Sequence, residues 1–246
     1  MIPKIIHYVW VGGKPLTPLA EKCIASWKKY CPDYEIKRWD ETTFDINQNK
    51  YCKQAYENKK WAFVSDYIRL KVMYDFGGIY MDTDVEVIKP LDKFLGHKAF
   101  SGYENDSQIP TGIIASEKNG KWVGELLKDY DTKEFVMADG SFNLETNVVQ
   151  ITSTTKKMYP NLVLNNTFTD CGDVVFYPKD YFCPIDYDTK KIIKSANIHT
   201  IHWFAGSWLD AKTKTKIKIQ KFANFITFGL ASKVWKHLKR NKGNKK

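Results

Sequence analysis

The feature that most constrains the fold is the run of residues 65–84, where a helix with a polar stripe leads through Gly77-Gly78 into a short apolar strand. Asp82 and Asp84 follow that strand directly. Ligands of open α/β sheets bind at the carboxyl ends of the strands, so these acids are placed where substrates gather. The run therefore predicts an α/β fold with a divalent metal and a nucleotide diphosphate at the sheet edge.

The rest of the pattern agrees with an α/β sheet. Strands are predicted at 5–11 and 34–39, and helices at 16–30 and 61–75, with a partly helical stretch at 47–60 between them. Helices that alternate with strands favour a Rossmann-like, mostly parallel sheet covered by helices. Further strands are predicted at 85–88, 112–115, 174–177 and 198–201.

Charge divides the chain at one point. The net charge of +10 comes from residues 212–246, which contain 12 Lys or Arg and no acid, while the rest has 26 basic and 28 acidic residues. We therefore expect a domain over 1–211, a tail over 212–246 and no nucleic-acid partner, because the body lacks a basic face. Apolar residues recur in the tail at helical spacing: Ile219, Phe222, Ile226, Leu230 and Val234. This pattern predicts a basic amphipathic helix that either lies on an anionic membrane or docks on the body.

Cysteine usage and hydropathy bear on location. The five cysteines are odd in number and form no CxxC pair, so a disulfide framework or structural zinc is not expected. No signal peptide precedes the first strand, and no apolar run of membrane-spanning length occurs. We expect a cytoplasmic protein, held peripherally at the inner face of the plasma membrane by its tail.

Candidate metal ligands are Asp82, Asp84 and one histidine. A DxD triplet alone is also common in solvated turns, but here an apolar strand leads into it. Carboxylate oxygens suit Mn²⁺ or Mg²⁺. His199 and His202 would point to opposite faces of a strand, so only one of them, preferentially His202, is predicted as the third ligand.

Several polar and aromatic residues are candidates for substrate binding. Ser65, Asp66 and Arg69 share a helix face and form either an ordinary ion pair or a clamp for sugar hydroxyls. Trp10, at the end of the first strand, is either a core residue or a platform for a nucleobase. Ser207 and Trp208 carry donors suited to phosphate oxygens.

These motifs resemble the DXD-containing glycosyltransferases of the capsular-polysaccharide and Och1-like type, whose core is shared with large clostridial glucosylating toxins. The similar segments are the opening at 2–13, the central signatures at 62–69 and 77–84, and a closing motif at 202–208. They occur in the family's order, which makes the resemblance specific. It implies a GT-A fold and a nucleotide-sugar donor, most often UDP-linked, with retention of the anomeric configuration.

The resemblance also implies roles for individual residues. Trp10 would stack on the base, and Ser65, Asp66 and Arg69 would hold the donor sugar near Tyr80. Asp82 would reach the ribose and the metal, Asp84 would bind the metal, and Ser207 with Trp208 would meet the diphosphate. Asp66, Arg69, Asp82 and Asp84 are accordingly the predicted catalytic residues. The chain departs from many relatives at Thr111-Gly112, where they have Asn-Gly, and at 146–148, where they have Thr-Gly-Pro.

The predicted function is transfer of a sugar from a nucleotide-sugar donor to a saccharide or lipid-linked acceptor in surface polysaccharide synthesis. One alternative is a sugar-nucleotide pyrophosphorylase, although Gly12-Gly13-Lys14 is short for its phosphate loop. A second alternative is a noncatalytic carbohydrate-binding protein that uses the tryptophans and acids for sugar stacking. Release of nucleotide from the donor, as opposed to pyrophosphate-dependent formation of UTP, distinguishes these readings.

Overall fold

The computed structural model describes residues 1–110, 112–186 and 191–206. Residues Met1–Ala205 form one compact unit. The predicted boundary between 211 and 212 and the predicted tail helix lie outside the described residues, and both stay predictions. Within the described ranges, no helix is long and apolar enough to cross a bilayer.

Six helices and nine strands make up the described part of the chain, apart from two short 3₁₀ turns. The helices are α1 (Pro18–Tyr30), α2 (Lys50–Glu57), α3 (Trp61–Phe76), α4 (Lys121–Lys128), α5 (Asn147–Met158) and α6 (Lys179–Phe182). The strands are β1 (Ile5–Val9), β2 (Glu35–Trp39), β3 (Gly78–Met81), β4 (Val85–Val87), β5 (Ala99–Gly102), β6 (Ile113–Ser116), β7 (Thr169–Asp170), β8 (Val175–Tyr177) and β9 (Thr200–His202).

The central sheet has seven strands in the order β2-β1-β3-β6-β5-β8-β7. Strands β2, β1, β3, β5 and β8 run in one direction, and β6 and β7 run against them. The predicted α/β architecture, with a mostly parallel sheet covered by helices, is thereby confirmed. The antiparallel β6 was not foreseen: it is joined to β5 by a connection too short to include a crossover helix, and strands so joined pair antiparallel.

The segment after the two aspartates leaves the central sheet. Strand β4, predicted simply as a resumed strand, pairs antiparallel with β9 in a separate two-stranded ladder, with Val85 opposite His202. The Trp203 N–H also donates to the Asp84 carbonyl at 3.0 Å. This ladder brings His202, more than a hundred residues away in sequence, next to the DxD triplet.

Helix α3 and strand β3 are joined by Gly77 and Gly78, which have φ values of 67° and 114°. A Cβ on Gly78 would lie 2.6 Å from the Ile5 carbonyl oxygen, so only glycine fits at this turn. The turn lets β3 enter the sheet beside β1 immediately after the helix ends. The polar face of α3 and the carboxyl end of β3 are thus fixed relative to each other.

Alternate side chains of the sheet enter two different apolar clusters. Val9 of β1 and Tyr80 of β3 pack with residues of α2, α3 and α4, whereas Ile6, Ile79 and Met81 pack with α1. This alternation is the period of two that strands impose. Both faces of the sheet are therefore covered, which explains the continuous burial of β3.

His7 is a buried histidine that the fold holds neutral. Its Nε2 lies 2.8 Å from the Gly77 carbonyl oxygen, and its Nδ1 accepts from the Trp39 indole N–H at 3.0 Å. The ring therefore carries its proton on Nε2. Burial lowers the pKa of His7 to about 4 from its ordinary 6.5.

We expect His7 to make the fold less stable in mild acid. Above pH 6.5 the His7 ring is neutral in both the folded and the unfolded protein. Between pH 6.5 and about 4 it binds a proton only in the unfolded protein, so acid favours unfolding. The free energy of unfolding should fall by about 2 kcal/mol more in wild type than in His7→Gln between about pH 7.5 and pH 5. Urea titrations of both proteins at the two pH values measure this difference, and parallel pH profiles would contradict it.

Candidate active site

The predicted site residues of α3 and β3 meet at the carboxyl end of β3. Asp82 follows β3, and its N–H donates to the Gly112 carbonyl at 2.9 Å, which extends the pairing of β3 with β6 by one step. The Asp82 carbonyl then accepts from the Val85 N–H at 2.9 Å, so the chain turns through Thr83 and Asp84. The DxD triplet is therefore a tight turn between β3 and β4.

Arg69 joins the helix to this turn. Its Nη2 lies 3.1 Å from Asp66 Oδ1 and 3.5 Å from Asp82 Oδ1, and it also donates to Ser65 Oγ at 3.1 Å. The guanidinium carbon lies 4.7 Å from the centre of the Tyr80 ring, and the Tyr80 hydroxyl donates to Asp82 Oδ1 at 2.9 Å. The five residues Ser65, Asp66, Arg69, Tyr80 and Asp82 form one contiguous polar network.

Burial sets the electrostatics of this network. The side chains of Arg69 and Asp66 are only 5% and 10% exposed, unlike those of an ordinary surface ion pair. Burial raises the pKa of Asp66 to about 6, although the Arg69 charge opposes this. Burial lowers the pKa of Arg69, but Tyr80, Asp82 and Asp66 more than offset it, so the guanidinium stays charged. The site thus maintains a fixed buried cation beside a carboxyl group that titrates close to neutrality.

Asp82, Asp84 and His202 form a cluster suited to a metal ion. One ligand atom from each of the three lies within 4.8 Å of the others. Two carboxylate oxygens and one imidazole nitrogen are a donor set that Mn²⁺ and Mg²⁺ accept, and three protein ligands leave positions for substrate oxygens. The residues fit a divalent ion.

The immediate surroundings of Asp84 and His202 hold both side chains in place. His202 Nε2 lies 3.2 Å from Asp84 Oδ1, and the Ala205 N–H donates to Asp84 Oδ2 at 2.8 Å. Burial raises the pKa of Asp84, but the hydrogen bonds from His202 and Ala205 outweigh it and lower the pKa overall. Gly112 packs against the His202 ring, since a Cβ there would lie 2.8 Å from His202 Nδ1.

The two histidines separate as expected. His199 is buried against Phe94 and stacks on Tyr181, and its Nδ1 lies 2.5 Å from the Asn197 carbonyl oxygen, away from the DxD turn. The structure places His202, and not His199, beside the carboxylates, and its role as a metal ligand stays a prediction. Ser207, Trp208 and Thr111 lie outside the described residues.

Trp10 lies half-buried just after β1. Its backbone N–H donates to the Trp39 carbonyl at 2.9 Å, and its indole N–H donates to the Lys14 carbonyl at 2.7 Å. The ring packs against the apolar cluster that contains α1. Both sequence interpretations, a core contact and an exposed ring face for a base, are compatible with this placement.

We expect Trp10→Ala to weaken donor binding by about 1–3 kcal/mol if the exposed face stacks on the base. Because the ring is only half-buried, its loss of folding stability should stay below the roughly 3–5 kcal/mol of a fully buried aromatic. Trp10→Phe, which keeps a ring face, should recover part of the affinity. Donor titration and urea unfolding of both variants measure the two effects, and unchanged donor affinity would make Trp10 a packing residue only.

Two polar residues at the site were missed by sequence reasoning. Asn147, the first residue of α5, donates from Nδ2 to Asp66 Oδ1 at 3.1 Å, and its buried Oδ1 has no partner within the described residues. The departure from the family at 146–148 was the available signal. Glu104, just past β5, has a pKa raised by burial and interacts electrostatically with His202 and Asp82. Both side chains therefore add polar groups beside the carboxyl end of β3.

Comparison with known proteins identifies the region that carries these motifs. A family model described as "Glycosyltransferase sugar-binding region containing DXD motif" matches residues 18–101. This part of the chain is therefore similar to the sugar-binding region of DXD glycosyltransferases. The resemblance to DXD glycosyltransferases that the motifs predicted is thereby confirmed for this region, and relatives of the chain are named as transferases.

The relatives match over part of their length. Inositol phosphoceramide mannosyltransferase 3 of Schizosaccharomyces pombe is 25% identical over 52% of this chain and 37% of its own. Mannosyl phosphorylinositol ceramide synthase SUR1 of Saccharomyces cerevisiae is 26% identical over 55% of this chain and 37% of its own. The chain thus spans little more than a third of these relatives. Among solved structures, PaToxG glycosyltransferase superposes with a TM-score of 0.49 at 20% identity, over 65% of this chain and 70% of its own.

Proposed function

We propose that this chain transfers a sugar from a nucleotide-sugar donor to a saccharide or lipid-linked acceptor with retention of configuration. The observation that carries the proposal is the buried network Asp66–Arg69–Asp82, which ties a sugar-binding helix face to a candidate metal cluster at the end of β3. A noncatalytic sugar-binding protein has no need of a buried cation that bridges these two parts.

In the proposed mechanism, Asp66 and Arg69 orient the donor sugar. Asp66 accepts hydrogen bonds from sugar hydroxyls, and Arg69 and Asn147 hold its carboxylate in position. The fixed positive charge of Arg69 also favours negative charge that develops on the departing diphosphate. The anomeric carbon–oxygen bond to the diphosphate breaks as the bond to the acceptor oxygen forms, and the acceptor proton passes to a leaving phosphate oxygen.

Asp82, Asp84 and His202 would hold Mn²⁺ or Mg²⁺ in this scheme. When bound, such an ion neutralises the diphosphate as a Lewis acid. The chain's own contribution is to keep the three ligands together. The Tyr80 hydroxyl and Arg69 hold the Asp82 carboxylate, and the Ala205 N–H holds that of Asp84. The His202 ring packs closely against Gly112, where no side chain would fit. These supporting contacts orient the ligands before the donor arrives.

The resemblance and the relatives point to particular donors and acceptors. The resemblance favours a UDP-linked donor, whereas the names of the two yeast relatives refer to mannose and to inositol phosphoceramide. These names favour a mannosyl donor and a phospholipid-type acceptor. We place the enzyme at the cytoplasmic face of the membrane, with the basic residues 212–246 as its electrostatic contact to anionic lipid.

A panel of UDP- and GDP-linked sugars tests the proposal. Release of nucleoside diphosphate without acceptor, dependent on Mn²⁺ or Mg²⁺, is expected for one donor, and nuclear magnetic resonance of the released sugar should show retained configuration. Formation of nucleoside triphosphate from donor and pyrophosphate would instead identify a pyrophosphorylase. Binding without turnover of any donor would leave a carbohydrate-binding protein.

A further inference from the structure

The loop over residues 10–14 leaves the sheet at the carboxyl end of β1. Gly12 and Gly13 turn it with φ values of 93° and 68°, and the Trp10 indole N–H closes it by donating to the Lys14 carbonyl at 2.7 Å. Strands β1 and β3 are parallel neighbours, so this loop lies at the same edge of the sheet as the DxD turn. The side chains that hold the loop therefore bear on the candidate active site.

Glu41 holds this loop from outside. Its Oε1 atom accepts a hydrogen bond from the Gly12 N–H at 2.6 Å and another from the Tyr56 hydroxyl at 3.2 Å. Glu41 lies two residues past β2 and Tyr56 lies in α2, so these contacts join three separate parts of the chain. Because the acceptor is a carboxylate, the bond from Gly12 is stronger than one between two neutral groups.

The first residue of α3 supports the same glycine. A Cβ on Gly12 would lie 2.8 Å from Trp61 Cε2, so the loop backbone rests against the indole ring. The Trp61 ring also packs edge-on against Tyr56, with the ring centres 5.3 Å apart. We name Glu41, Tyr56 and Trp61 the loop brace. The brace fixes the loop that carries Trp10 relative to α3, the helix that carries part of the buried polar network.

Glu41 is placed to serve the loop more than the core. The residue is half-buried, and within the described residues its carboxylate forms hydrogen bonds only with Gly12 and Tyr56. Its removal should therefore free the loop without unfolding the domain. A freed loop has to be ordered again when a ligand binds, and this loss of conformational entropy lowers the affinity.

We propose that Glu41 is a positioning residue for the nucleotide half of the donor. By holding loop 10–14 it keeps the Trp10 ring in place before a nucleobase stacks on it. This role rests on the proposed function, in which Trp10 carries the base. The two hydrogen bonds of Glu41 reach neither the metal cluster nor Asp66. It should therefore act on donor binding and leave the chemical step unchanged.

Calorimetric titration of the full chain with UDP and with GDP, in the presence of Mn²⁺, tests this role. Glu41→Ala should bind the nucleotide about tenfold more weakly, because the loop loses its acceptor. Glu41→Gln should stay within about threefold of wild type, since an amide oxygen can still accept from Gly12 and Tyr56. Glu57→Ala is the matched control: it removes an exposed carboxylate next to Tyr56 in the sequence, with the same change of net charge, and should bind like wild type.

Steady-state kinetics with the donor that wild type turns over separates positioning from chemistry. Glu41→Ala should raise KM about tenfold and change kcat by less than about twofold. A kcat that fell as far as kcat/KM, or equal nucleotide affinity in Glu41→Ala and Glu57→Ala, would overturn the positioning role. So would loss of the fold in Glu41→Ala, which urea unfolding measures, or a Glu41→Gln protein that binds as weakly as Glu41→Ala.

The behaviour of wild type distinguishes the positioning role from the proposed function. Nucleotide binding without turnover of any donor would contradict the transferase, and the affinities of the Glu41 variants would still decide what the loop brace does. If wild type bound neither UDP nor GDP, loop 10–14 would not be a nucleotide-binding loop, and the positioning role would be overturned as well.

Discussion

Asp84→Asn is expected to lower turnover by about a thousandfold or more, because a metal that stabilises the leaving diphosphate contributes several kcal/mol to the transition state. The amide still accepts from the Ala205 N–H, which donates to Asp84 Oδ2 at 2.8 Å in wild type. The fold should therefore be retained. What the variant loses is the charged oxygen that faces His202 at 3.2 Å.

Glu86→Gln is the matched control for Asp84→Asn. Glu86 lies two residues further along, in β4, and its carboxylate accepts from the Trp203 indole and from Lys22 at 2.9 and 2.8 Å. It is not part of the metal cluster, so turnover and Mn²⁺ affinity should stay near wild type. Donor hydrolysis and calorimetric titration with Mn²⁺ measure both. Wild-type turnover in Asp84→Asn, or unchanged Mn²⁺ affinity, would refute the metal assignment.

Local patterns predicted the elements around the site closely. Helix α3 was expected over 61–75 and extends over Trp61–Phe76. The prediction was close because the helical spacing of the apolar residues and the two glycines that end the helix are both local signals. The proximity of Asp66 and Arg69 follows from a spacing of three residues on that helix. The sequence did not show that the pair is buried, since burial depends on β3 and α5 packing over it.

Apart from the grouping of His202 with the two aspartates, contacts between distant segments could not be predicted from the sequence. The pairing of β4 with β9 joins residues far apart along the chain, and three-residue strands carry almost no periodic signal. Asn147 reaches Asp66 across a separation of 81 residues. The close contact between Gly112 and the His202 ring was likewise not predicted; the sequence showed Gly112 only as the start of a strand and as part of a departure from the family. Tertiary packing alone decides which side chains complete the site.

Arg69→Met is expected to destabilise the fold by about 3–5 kcal/mol, because it leaves a buried carboxylate without its cation. Asp66→Asn alone should be well tolerated by the fold, since burial raises the pKa of Asp66 to about 6, which means that its charged form is less stable in the folded protein than in water. The double variant Asp66→Asn/Arg69→Met should then be more stable than Arg69→Met, as the unpaired Asp66 charge is gone. Urea unfolding of the three proteins near neutral pH measures this coupling.

Turnover should follow a different order from stability. Asp66→Asn is expected to reduce turnover at least about tenfold, equivalent to about 1.4 kcal/mol. The reason is that an amide oxygen accepts hydrogen bonds from sugar hydroxyls more weakly than a carboxylate oxygen does. The double variant should regain stability without regaining turnover.

Lys71→Met is the matched control for Arg69→Met. It removes a partly exposed ion pair with Asp75 on the same helix and should change stability by less than about 1 kcal/mol. If Arg69→Met behaved like Lys71→Met, or if the two site substitutions were additive in stability, the buried network would not hold the site together. Low turnover in a stably folded Asp66→Asn variant, in which Arg69 is still present, would show that Asp66 is kept for its contact with substrate, at the expense of the fold.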